Sequence, residues 1–213
     1  MNNKSKVIVG DFWKINFLSL ILAVLVVMVF GVGAFVYYNN RYPSWYEEVR
    51  LSDGRIITVH QKREYYENYG TNQSWVEIDL PELGGKKVWH SYLIPMHVDV
   101  QQGQLYVFGR PRGPRQVAHY LYPKYHMVAF QWTGIDFVRV SFMQLPESIR
   151  QEENLYSCIP DQKLKVLRIA VKDQRWCDPS GDNGQFVKKI NLPAYQELAI
   201  GFARAAGYKP ISE

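Results

Sequence analysis

Apolar positions along the chain fall into two regimes. Residues 17–36 are almost wholly apolar, and no charged side chain occurs between Ile15 and Asn40. Beyond residue 44, apolar positions instead alternate with polar ones in short runs broken by Gly, Pro, Asn and Asp. The first regime predicts a helix that crosses a membrane, the second a domain built from short strands.

A helix over residues 17–36 rises ~1.5 Å per residue and reaches ~30 Å, the hydrocarbon thickness of a bilayer. In lipid the backbone must satisfy its own hydrogen bonds, which a helix does. Aromatic side chains bracket the segment, with Phe12 and Trp13 before it and Tyr37, Tyr38, Tyr42, Trp45 and Tyr46 after it. Rings with polar edges concentrate at the two membrane–water boundaries. A buried core helix would show polar positions along one face, and this one does not. Cleavage after the small residues Gly31, Gly33 and Ala34 is the rival reading. A secretory apolar region usually runs only ~7–15 residues, so an uncleaved anchor is expected. Lys4, Lys6 and Lys14 precede the segment while Arg41 and Arg50 follow it, a bias that places the N-terminus in the cytoplasm. The expected layout is a cytoplasmic tail over 1–14, a transmembrane helix over 15–38, a connector over 39–44 and an extracytoplasmic domain over 45–213.

The distal region reads as strands over 45–51 and 55–61 joined at Ser52-Asp53-Gly54, a strong hairpin turn. Period two puts Ile57 and Val59 on one face of the second strand and Ile56, Thr58 and His60 on the other. Residues 64–69 continue as strand or edge, 75–80 alternate, and 86–100 form a long extended run broken at Pro95. Turns at Gln101-Gln102-Gly103 and Thr133-Gly134 close two more hairpins, and 166–171 is a further strand. Pro146 opens a short helix to about Asn154. A terminal helix runs from the cap Asn191 through Ala206 to the stop at Gly207. The predicted fold is mainly β, an antiparallel sandwich or barrel-like sheet with a C-terminal helix, behind a single transmembrane helix.

Composition narrows the function. Aromatic residues make up 15% of the chain, with 15 tyrosines, which suits strands and recognition surfaces. The net charge is +5, of which the N-terminal tail supplies +2, and the remainder is too small to argue for nucleic acid. Only two cysteines occur, Cys158 and Cys177, and they would form a disulfide in an oxidising compartment, worth about 3 kcal/mol in the chain-entropy picture. Their spacing fits neither a redox nor a zinc motif, so no metal and no cofactor is expected.

Three stretches carry candidate chemistry. In Gly109-Arg110-Pro111-Arg112-Gly113-Pro114-Arg115, three guanidiniums sit in a stretch that Gly and Pro keep open, suited to phosphate or carboxylate. The competing reading pairs those arginines with nearby carboxylates. Tyr120, Tyr122 and Tyr125, between His119 and His126, form an aromatic stretch suited to a partner surface or to strand packing. Residues 178–184 superficially resemble a calcium loop, but Lys189 stands where the bidentate Glu is needed, so an ordinary turn is expected. No nucleophile elbow, phosphate loop, metal-binding His pair or dinucleotide fingerprint occurs.

The expectation is a membrane-anchored extracytoplasmic binding or assembly module of the cell envelope. It would sit in the inner (plasma) membrane, with the bilayer and a protein as its partners and no reaction named. The alternatives are an anchored envelope hydrolase or modifying enzyme, with residues such as His119 and His126 converging in a cleft, and a structural subunit acting through its helix.

Overall fold

The structure, a computed structural model, describes residues 7–66, 70–161, 164, 166–174 and 189–208. It divides into two compact units, Met1–Arg41 and Tyr42–Glu213. The first is one helix, α1 (Val7–Arg41), whose Ser19–Arg41 portion is long and apolar enough to cross a membrane. Asn39, Asn40 and Arg41, expected in the connector, are still helical, because nothing before Pro43 denies the helix a donor. Only Tyr42 and Pro43 separate α1 from the first strand.

The second unit is a β-sandwich. Strands β1 (Ser44–Arg50), β2 (Ile56–Tyr66), β3 (Gly70–Leu80) and β4 (Gly85–Ser91) form an antiparallel meander. A short β9 (Val166–Leu167) adds parallel to β1, giving the order β4-β3-β2-β1-β9. The second sheet contains β5 (Ile94–Gln101), β6 (Gln104–Arg110), β7 (Val128–Trp132) and β8 (Phe137–Val140) in sequential order. The long run expected over 86–100 is thus two strands in different sheets. The chain crosses over at Tyr92 and Leu93 rather than at Pro95, which lies within β5.

Alternation decides which side chains enter the interior. Val49, Val59, Val76, Ile78 and Trp89 of the first sheet meet Val98, Val100, Leu105, Val107 and Val128 of the second in one buried cluster. Ile57 packs against it while Ile56 and Thr58 face out, as period two predicts. The four-stranded sheet has a second buried face. A bulge between Pro95 and His97 shifts the alternation and lets Met96 join Phe108 and Ala129 there. The 3₁₀ turns Phe142–Gln144 and Glu147–Arg150 cover that face, together with the start of the terminal helix. The expected helix from Pro146 is only this single tight turn.

The shorter helices complete the unit. The terminal α-helix, Leu192–Ala205, begins where Asn191 accepts a bond from the Ala194 N–H, as the sequence predicts. The stretches 109–115 and 166–171, read as loop and strand, run instead into the helices α2 (Pro114–His119) and α3 (Ile169–Gln174), so the terminal helix is α4. Pro114 favours α2 because a proline in the first turn loses no intrahelical bond.

Residues 152–158 seal the sandwich edge. The Asn154 side chain accepts from the Val98 N–H at 2.9 Å and donates to the carbonyls of Val98 at 2.7 Å and Arg50 at 3.1 Å. Buried Arg63 donates to the carbonyls of Ser157 and Tyr156, and buried Glu47 pairs with Lys172 at 3.2 Å. Cys158 ends this segment. Its expected partner Cys177 lies outside the described residues, as does the stretch 178–184.

Candidate functional site

The arginine stretch begins where β6 ends. Gln116, in α2, holds it: its Oε1 accepts from the Arg112 N–H at 2.6 Å, and its Nε2 donates to the carbonyls of Thr71 and Asn72 at the start of β3. Gly70, with φ +66°, leaves open the space that a β-carbon would occupy, and the Arg112 guanidinium lies in it. Tyr66, Gly70, Asn72, Arg112 and Arg115 line a surface cavity of about 610 Å³. Arg112 and Arg115 are exposed, and among the described residues neither pairs with a carboxylate.

Arg110 turns inward. It is half-buried, its Nε has no hydrogen-bond partner among the described residues, and its charge acts on His126. Burial and that neighbouring guanidinium drive the His126 pKa down to about 4 against the pull of the Pro111 carbonyl. The His126 ring lies flat against Phe202 of α4 at 5.1 Å.

The aromatic stretch after α2 is folded in on itself, with Leu121, Tyr122 and His126 all at positive φ. Tyr120 is buried, its hydroxyl accepting from the Tyr92 N–H at 3.1 Å and its pKa raised by burial. Tyr122 stacks on Tyr208 at 4.5 Å, and Tyr125 packs toward Phe142. His119 is exposed and meets Tyr92 edge-on, whereas His126 is enclosed beside Arg110 and Phe202. The two histidines therefore have different surroundings.

Sequence reading does not find the outer face of the five-stranded sheet as a surface. Register places Ser44, Lys62, Trp75 and His90 in one row across it and Tyr46, His60 and Glu77 in the next. Trp75 stacks on His90 at 4.9 Å with the rings 6° apart, and Tyr46 stacks on His60 at 4.6 Å. The Lys62 ammonium lies over the rings of Tyr42 and Trp75. His90 leads on to Tyr92, and Tyr92 to His119. Period two along one strand gives each residue its face, but cross-strand neighbours follow only from the register. Burial lowers the pKa of both His60 and His90.

A smaller polar cavity, about 220 Å³, opens beside β5 among Ser52, His97, Asp99, Ser148, Glu152 and Lys172. Ser52 donates to Asp99 from both its N–H and its hydroxyl at 3.1 Å. His97 Nδ1 bonds the Glu152 carbonyl at 2.7 Å, and its Nε2 lies 3.5 Å from Asp99 Oδ2. The serine is thus held by the aspartate directly and not through the imidazole, unlike a nucleophile with its base. Among the described residues no group of three or more His, Cys, Asp or Glu is placed to hold a metal ion. No protein-family model, curated protein or solved structure matches the chain.

Proposed function

We propose that the chain is a membrane-anchored binding or assembly module of the cell envelope, which presents the outer face of its five-stranded sheet to a protein partner. The observation that carries this reading is the continuous run of Tyr46, His60, Lys62, Trp75, His90 and Tyr92 on a rigid sheet. Tyr and Trp are the side chains that dominate protein interfaces, because they bury large area for few rotatable bonds. The apolar helix supports an inner-membrane anchor, and the lysines before it support a cytoplasmic N-terminus with the domain outside. A Cys158–Cys177 bond is part of this proposal, since it needs an oxidising compartment. Mass spectrometry of the non-reduced protein after alkylation should show both thiols blocked; two alkylated cysteines would place the domain in a reducing compartment.

The main test puts a photo-crosslinking phenylalanine in place of Tyr46 in intact cells. A discrete adduct with one envelope protein is expected, absent when the probe replaces exposed Ile135 in the other sheet's β7–β8 turn. Equal or no crosslinking at the two positions refutes the reading. A second reading, an anchored envelope hydrolase or modifying enzyme, draws on the polar cavity, where buried His97 Nε2 has no hydrogen-bond partner among the described residues. It requires turnover of an envelope polymer that His97→Ala abolishes.

A further inference from the structure

The domain has one end from which the chain continues to α1, and the basic and aromatic residues gather there. Two residues separate Arg41 from Ser44, a reach of at most ~7–10 Å. Ser44 pairs with Lys62, and the Arg63 N–H donates to the Pro43 carbonyl, so this end of β1 lies beside the middle of β2. From Lys62 the β2–β3 hairpin runs four residues further, to Tyr66 opposite Gly70, or ~13 Å beyond the start of β1. The Arg112 guanidinium rests on Gly70 at that extremity, and Arg115 and Tyr66 share the adjoining cavity. Gln116 fixes the arginines to the hairpin through the Thr71 and Asn72 carbonyls. The Glu64 carboxylate of the hairpin is buried and accepts from Asn72 and Gln73, whereas Arg112 and Arg115 are exposed and, among the described residues, pair with no carboxylate.

Building on the anchored reading above, we propose that Arg112 and Arg115 bind the phosphates of anionic lipid headgroups in the membrane that holds α1. Guanidinium forks match phosphate oxygens in a bidentate manner, and basic side chains near an anionic leaflet are attracted to it. Tyr42 and Tyr66 at the same end suit the headgroup layer, where an apolar ring with a polar edge is most at home. Tethering removes the need for high intrinsic affinity. A site that cannot diffuse away meets its ligand at an effective concentration in the millimolar range, so two or three weak contacts hold the orientation. The domain would then take one preferred pose on the bilayer, leaving the Tyr46 and Trp75 rows to the partner.

The test uses the full-length chain in nanodiscs of phosphatidylcholine, with or without phosphatidylglycerol, read by hydrogen–deuterium exchange. Amides of residues 62–75 and 110–119 should exchange about tenfold more slowly in the anionic discs. The protection should vanish in high salt and in R112E/R115E, and largely persist in R112K/R115K. R112Q/R115Q serves if charge reversal lowers the melting temperature. Equal exchange in both discs overturns the proposal, as does protection that survives charge removal. Two further results also overturn it: the same protection from inorganic phosphate in phosphatidylcholine discs, which marks a free-phosphate site, or protection only on adding an acidic protein. Failure of the anchored reading looks different, because the chain would then leave the discs under alkaline carbonate.

Discussion

The two sheets of the sandwich are built to different ends. Both place alternate side chains in the shared interior, but the four-stranded sheet is covered again by the 3₁₀ turns and the start of α4, so β5 is buried along nearly its whole length. The five-stranded sheet meets the start of α3 at Glu48 on its outer side and otherwise fills that side with stacked rings, histidines and ion pairs such as Lys86–Glu77. A strand buried twice has every side chain committed to packing. A strand buried once has half its side chains free for another molecule, on a scaffold already rigid.

That contrast can be broken from the covered side first. Phe108 is fully buried against His97 and Phe142 on the second face. Phe108→Ala should cost about 3–5 kcal/mol by denaturant unfolding, the usual range for emptying such a site. A loss below ~1 kcal/mol would mean that this layer is not a packed core.

His126 tests the same layer through pH. Its pKa of about 4 lies below the ordinary 6.5, so between those values the unfolded chain takes up a proton that the folded one refuses. Stability should therefore fall as pH drops from 6.5 to 4 and level off below that, by on the order of 3 kcal/mol from this group. His126→Asn, which tolerates the positive φ, should flatten that slope relative to wild type. An unchanged slope would show that the ring meets water.

On the open side the effect on folding should be smallest. Trp75→Ala removes only its stacking and cation contacts, under about 1 kcal/mol, yet should abolish the crosslink from position 46. If folding suffers and crosslinking does not, the outer face is structural.

How much of this was legible differs by element. The apolar span, the hairpin turns at Asp53-Gly54 and Gln102-Gly103 and the Asn191 cap are local signals, and each appears where the residues predict. The arginine stretch was visible as chemistry but not as geometry. Its end of the fold is set by Gln116 reaching the β3 carbonyls 44 and 45 residues away. The tyrosine stretch misled because composition does not reveal positive φ at Leu121 and Tyr122, which turns Tyr120 into the core. Val166 and Leu167 do form a strand, but the apolar run beyond them becomes α3, with the Glu48 carboxylate accepting from the Ile169 N–H at its start. The outer face was hidden for a deeper reason, since its rows exist only once four strands are in register.

One amide side chain, that of Asn154, does the work of a neighbouring strand. By occupying both the N–H and the carbonyl of Val98 it closes the middle of the β5 rim to another polypeptide. A chain that lost this group, through Asn154→Leu or slow deamidation, would keep most of its interior yet acquire an open template for intermolecular strand addition. Its expected mode of failure is self-association at the envelope rather than unfolding, and light scattering would register it before calorimetry does.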